Sequence, residues 1–223
     1  MDFNFLSKTP LFDGIKEKEI EHVLKCLKAR EKSFEKNEII FHQGDEVDEI
    51  GLVESGGVNI VVNFYWGDRQ ILGHINKGLI FAENYAAISG KELICDVVAS
   101  EDSEILFLNL KNLMTTCKNQ CGFHQSLIFN LLKISAQKSL NLSGRMMHIA
   151  PRTIRERVLS YLSEQAIIHS NPNFKIPFNR QELSDYLAVD RSALSNELSK
   201  MQKDGLIEFK KNHFSLKKPI SLE

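Results

Sequence analysis

Residues 176–214, IPFNRQELSDYLAVDRSALSNELSKMQKDGLIEFKKNHF, contain two short helical patterns around a tight turn, followed by two short apolar runs. Asn179 is a good N-cap residue, because its short side-chain oxygen can accept from the free N–H groups of a first helical turn. Glu182, at the third helical position, can complete a capping box. The helix so started, Arg180 to Leu187, turns Leu183, Tyr186 and Leu187 inward. Ala188-Val189-Asp190 is the turn, and Asp190 caps a second helix over Arg191 to Lys203 whose inward face is Leu194, Leu198 and Met201. Two short helices joined by a brief turn with a small residue in it form the helix-turn-helix pattern. Asp204-Gly205 stops the second helix. Leu206–Phe209 and His213–Leu216, separated by Lys210-Lys211-Asn212, predict a two-stranded wing.

The outward face of the second helix carries Arg191, Ser192, Ser195, Asn196 and Lys200. The first four stand at i, i+1, i+4 and i+5, which places them on one side of a helix. An α-helix fits the major groove of DNA, and residues near its start reach base edges: Arg191 can fork onto guanine and Asn196 can pair with adenine. Lys200, Arg180 and the wing lysines suit phosphates, which position a protein without specifying sequence. The plainer alternative is a helical hairpin with a solvated polar face.

Upstream, Ala150-Pro151 marks a boundary, and Ile154, Val158, Leu159 and Leu162 make Thr153–Glu164 an amphipathic helix. Between Cys117 and His148 there is no Pro, and Gly occurs only at Gly122 and Gly144. Leu127, Ile128, Leu131, Leu132, Ile134, Leu140, Leu142, Met146 and Met147 form an apolar stripe there. A helix of roughly 25 residues would be about 38 Å long, enough to cross a small domain and pair with a twin. Its spacing drifts from strict heptads, so burial within one chain stands beside dimerisation. Earlier still, short β-type runs end at glycine turns: residues 38–41, 50–53, 58–62, 70–75, 95–99 and 104–108. That punctuation predicts a sandwich or barrel-like domain. Leu11 to Arg30 reads as a short helix before it.

At 223 residues the chain can bury one large core or two modest ones, and with 43% hydrophobic and 26% charged residues it has an ordinary globular composition. No apolar run reaches the roughly 18 residues of a membrane span, and Met1–Lys8 lacks the pattern of a secretory signal. A cytoplasmic location is expected, with the four irregularly spaced cysteines as free thiols. The net charge of −1 is unevenly placed: residues 151–223 carry 12 basic and 9 acidic side chains, the rest 16 and 20. The sign suits a polyanion-binding C-terminus. A Walker-type phosphate loop, a Gly-x-Ser-x-Gly elbow and a His-Glu-x-x-His motif are all absent, which argues against an enzyme.

Asn179–Leu183, Asp190–Leu194 and the run from Leu198 to Ile207 resemble the DNA-binding end of the cyclic-AMP receptor protein and fumarate–nitrate regulator (Crp/Fnr) superfamily. Gly44, Gly56 or Gly57 and the strand spacing are similar to its cyclic-nucleotide-type β-roll. The resemblance covers nearly the whole chain. It implies an α+β protein: a double-stranded β-helix (jelly-roll) sensor over 1–116, a dimerisation helix over 117–149, and a winged helix-turn-helix over 150–223. It also implies a homodimer on a palindromic operator in double-stranded DNA, contact with RNA polymerase, and a pivot near Met147–Pro151.

By that resemblance the effector pocket involves Phe81, Glu83, Asn84, Leu93 and Ile94. Members that bind cyclic AMP have a Gly, a Glu and an Arg-Ser pair in this cassette. Here Glu83 fits, but Ala82 replaces the Gly and Leu93-Ile94 the Arg-Ser pair. A cyclic phosphate needs a guanidinium and donors around it, so the sequence speaks against cyclic AMP and leaves a vestigial, apolar or uncharged site. No Cys precedes Cys26, which speaks against an N-terminal iron–sulfur cluster, and no His lies between His74 and His124, where haem-bearing members have a ligand. Cys117, Cys121 and His124 fall at i, i+4 and i+7 on one helical face. Thiolates and imidazole so spaced suit zinc, iron or a redox pair, against the plainer reading of two small residues and a polar histidine at a helix start.

Overall fold

The computed structural model describes residues 1–67, 69–114 and 122–217. Two compact units, residues 1–137 and 138–223, divide within the long helix.

The N-terminal unit opens with helix α1 (Phe3–Leu6), a 3-10 turn (Pro10–Phe12) and helix α2 (Glu17–Cys26). The helix expected over Leu11–Arg30 is therefore interrupted, because Pro10 starts a turn and Gly14, at φ +76°, breaks the path. Then come β1 (Arg30–Phe34), β2 (Ile39–Phe41), β3 (Glu49–Ser55), β4 (Gly57–Asn63), β5 (Arg69–Asn76), β6 (Ile80–Phe81), helix α3 (Glu83–Ala86), β7 (Asp96–Ala99), β8 (Ser103–Asn109) and helix α4 (Leu110–Met114). They make two four-stranded antiparallel sheets, β1-β8-β3-β6 and β2-β7-β4-β5, as a jelly roll requires. All six expected runs are strands. β1 and β6 were not expected: β1 is polar over four of its five residues, and β6 has only two residues.

Between the sheets, Val53, Val58, Phe81, Val97, Ala99, Ile105 and Phe107 form a core. A second cluster joins β3 and β8 to the N-terminal helices and to Leu127 of helix α5 (Gly122–Ile149). Buried Asn130 of α5 donates to the carbonyls of Leu11 and Asp13, fixing the helix on this unit. The stripe of α5 thus splits in two. Leu127, Leu131 and Ile134 pack inward, while Ile128, Leu132, Leu140, Leu142, Met146 and Met147 are exposed, as is Phe129 beside them.

The C-terminal unit adds α6 (Ile154–Ile168), β9 (Asn173–Lys175), α7 (Arg180–Tyr186), α8 (Arg191–Lys203), β10 (Ile207–Lys210) and β11 (His213–Leu216). The wing has three strands, ordered β10-β11-β9, where two were expected. Phe174 of β9 pairs with Phe214 and joins the core of Val158, Leu162, Leu183, Leu194, Leu198 and Met201.

Candidate nucleic-acid interface

Each helix that shapes this surface starts on a side-chain cap. Thr153 and Asn179 form capping boxes with Glu156 and Glu182, and Asp190 accepts from the Ala193 N–H at 2.8 Å. The α7–α8 turn needs a left-handed residue, supplied by Ala188 at φ +53°; the Val189 N–H then returns to the Ser184 carbonyl at 3.0 Å. Arg157 of α6 donates to the Leu187 and Ala188 carbonyls, both at 3.1 Å, which holds the turn. Leu194, Leu198 and Met201 face the core, so the opposite side of α8 faces solvent.

That side presents Arg191, Ser192, Asn196 and Lys200 as exposed residues, with Ser195 half-buried at its edge. The guanidinium of Arg191 makes no hydrogen bond or ion pair with any described residue. Ser192 donates its hydroxyl proton to Asp190, and Ser195 donates to the Arg191 carbonyl at 2.9 Å. Both hydroxyls keep lone pairs outward, so they face a ligand chiefly as acceptors. The Ser192 hydroxyl and then the Ala193 N–H hold the Asp190 carboxyl below its usual range, which keeps the cap anionic. Arg155 of α6 grips α8 from behind, bonding Glu197 at 2.6 Å and Asp204 at 2.7 Å.

Arg180, expected to suit a phosphate, lies at the start of α7. It is half-buried over the Phe209 ring, 5.0 Å from its centre, and burial lowers its pKa. Lys210 and Lys211 are exposed at the wing, where Lys211 turns the chain at φ +56°.

In the N-terminal unit, the residues expected around an effector are not gathered at one opening. Phe81 is 1% exposed in the core and Glu83 is 5% exposed at the start of α3; Asn84 is exposed. Leu93 and Ile94 line an open cleft of about 750 Å³ with Gly44, Lys91, Glu92 and Asp96. Around it the Gln43 N–H donates to Asp96, the Gly44 N–H to the Leu93 carbonyl and the Leu93 N–H to the Asp45 carbonyl. These donors are committed within the protein, and among the described residues Lys91 is the only cation in the lining. Ala82 holds φ +64°, a left-handed turn conformation that suits glycine. Packing, rather than any motif, decides which of these residues reach the cleft.

Cys117 and Cys121 lie outside the described residues. His124 is 9% exposed beside Phe123, and its Nε2 has no hydrogen-bond partner among the described residues. Among the described residues no group of three or more His, Cys, Asp or Glu side chains could hold a metal. Cys95 is buried, which pushes its thiol pKa up, and Cys26 is half-buried. No described helix is long and apolar enough to cross a membrane.

A jelly roll, a long helix and a winged helix-turn-helix together are the architecture of a DNA-binding transcription regulator. Residues 31–120 match the model of the cyclic nucleotide-binding domain, and residues 156–223 that of the Crp-like helix-turn-helix domain. The chain is 24% identical over 187 residues to Electron transport regulator A of Shewanella oneidensis, covering 81% of this chain and 72% of that protein. It is 24% identical over 199 residues to the Cyclic AMP receptor protein of Thermus thermophilus, covering 89% and 88%. Its fold is similar to the c-di-GMP-responsive global regulator CLP of Xanthomonas campestris, with a TM-score of 0.60, 16% identity and 92% and 100% of the two chains covered. The chain belongs to the Crp/Fnr superfamily of transcription regulators.

Proposed function

We propose that the chain acts in the cytoplasm as a homodimer on a near-palindromic operator and contacts RNA polymerase there. Arg191, Ser192, Ser195 and Asn196 read base edges, and Arg180, Lys200, Lys210 and Lys211 meet phosphates. The observation that carries this reading is the exposed polar face at the start of α8, where the Arg191 guanidinium has no partner among the described residues, backed by an apolar inner face. The exposed apolar residues of α5, Phe129, Leu132, Leu142 and Met146 among them, support pairing with a second copy. Selection of binding sites from random DNA tests the reading. The expected product is two half-sites about 10 base pairs apart, centre to centre. Recovery of no preferred sequence sinks it. Leu132→Glu, followed by sedimentation, should give monomers.

The effector site is proposed at the cleft beside Leu93 and Ile94, with Phe81, Glu83 and Asn84 forming the cassette near it. Among the described residues a phosphate-bearing nucleotide would meet Glu92 and Asp96 and no guanidinium, which favours a neutral effector or a vestigial site. A second reading, metal or redox sensing through Cys117, Cys121 and His124, draws support from the Nε2 of His124, buried and without a hydrogen-bond partner among the described residues. Protein purified without oxygen tests it. Iron or zinc near one per chain, lost in the double Cys→Ser variant, supports a metal site; metal-free protein that binds its operator identically before and after mild oxidation removes the idea.

A further inference from the structure

The last turns of α5 are fastened to α7 by Arg145 and to α6 by His148, and Arg157 of α6 ties the link after α5 to the α7–α8 turn, all within the C-terminal unit. Arg145 donates from Nε to the Tyr186 carbonyl at 3.0 Å and from Nη2 to the Asp185 carbonyl at 2.9 Å, and its guanidinium lies 5.6 Å over the Tyr186 ring. These carbonyls close α7, and carbonyls at a helix end lack partners within the helix. α7 has no basic residue in its own last turn, so Arg145 supplies the cation that its C-terminus favours. One turn further along α5, His148 is 2% exposed. Its Nδ1 is 3.0 Å from the Ser160 hydroxyl and its Nε2 is 2.9 Å from Glu164, both on α6. Arg157 then ties the Pro151 carbonyl at 2.8 Å to the carbonyls of the α7–α8 turn.

A link bonded on both sides is a poor free pivot. The compact C-terminal unit begins at Lys138, inside α5, well before the pivot expected at Met147–Pro151. We infer that Arg145 is a positioning residue: through it the end of the long helix holds α7, so that turning of that helix sets the angle at which α8 meets DNA. It is a basic residue of the DNA-binding unit that acts by orienting the reader and touches no phosphate. The inference rests on the DNA-binding reading above and adds how that surface is controlled.

The test uses the full chain and an operator selected with the wild-type protein, titrated by fluorescence anisotropy at several salt concentrations. Arg145→Ala should weaken operator binding about tenfold, the equivalent of about 1.4 kcal/mol, with the salt slope unchanged. Backbone amides of α7 should exchange faster, and Arg145→Lys should recover part of both losses because it keeps the charge but not the fork. A salt slope lower by about 1 per protomer would mean that Arg145 touches phosphate, which overturns the inference. So would wild-type affinity in Arg145→Ala. If Arg145→Ala does not fold, Arg145→Lys decides: weaker binding at an unchanged slope supports the positioning role, and wild-type affinity with wild-type α7 exchange refutes it. A wild-type protein that selects no sequence would instead sink the DNA-binding reading and is seen before any variant is made.

Discussion

Replacing Arg191 by alanine separates base reading from charge. The side chain is exposed at the start of α8 and bonded to no described residue, so its loss leaves the fold close to unchanged. A guanidinium forked onto one guanine contributes about 1–3 kcal/mol of discrimination. Two half-sites double that to about 2–6 kcal/mol, or roughly thirtyfold to twenty-thousandfold in operator affinity. The assay is anisotropy titration of Arg191→Ala against the selected operator and a set of single-base variants, repeated across salt. The expected result is a loss concentrated on the operator, with preference relaxed at one base pair of each half-site. The salt slope should scarcely move. A phosphate contact behaves oppositely: affinity falls by the same factor on every sequence, and the slope drops by about 0.9 for each contact removed. That second pattern would refute base reading by Arg191 while leaving DNA binding intact.

Three further outcomes test the N-terminal unit. A methyl group on Gly51 would stand 2.1 Å from the Phe81 ring, so Gly51→Ala should cost about 1–3 kcal/mol or more; a melting curve shows it, and Phe81→Leu in the same chain should return part of the loss. Ala82→Gly should stabilise by about 0.5–1 kcal/mol by relieving the left-handed backbone, and an unchanged denaturant midpoint would contradict that strain. Burial first, and Glu31 next, raise the Glu54 carboxyl to about 7 from an ordinary 4.5. The folded chain therefore holds this proton more tightly than the unfolded one. Its contribution is complete below pH 4.5 and lost as pH rises through about 7. Glu54→Gln should raise the melting temperature at pH 8 and change it little at pH 4; equal effects at both would reject the raised pKa.

The helix-turn-helix was legible because its signals are local. A cap, an apolar triplet and a turn residue lie within a few positions of one another, and each acts on neighbours in the chain. For that reason the expected bounds of α8 coincide with the observed ones, Arg191–Lys203, and Asn179 and Asp190 cap as expected. The strands were legible where they alternate or run apolar. β1 escaped because an edge strand facing water needs no apolar signature; its pairing with β8 comes from residues about 70 positions away along the chain. β9 escaped for a similar reason, since its three residues become a strand only by meeting β11.

The sequence by itself determined the class of the protein: β-roll, long helix and capped recognition helix. Tertiary structure decided how individual side chains are used. It put Phe81 in the core rather than the cleft, laid Arg180 on Phe209, and turned Arg145, Arg155 and Arg157 inward onto carbonyls and carboxylates. A basic residue in a DNA-binding segment reads the same in sequence whether it faces a phosphate or a helix end. The difference lies in which carbonyls the fold leaves without partners, and that is settled only when the helices pack.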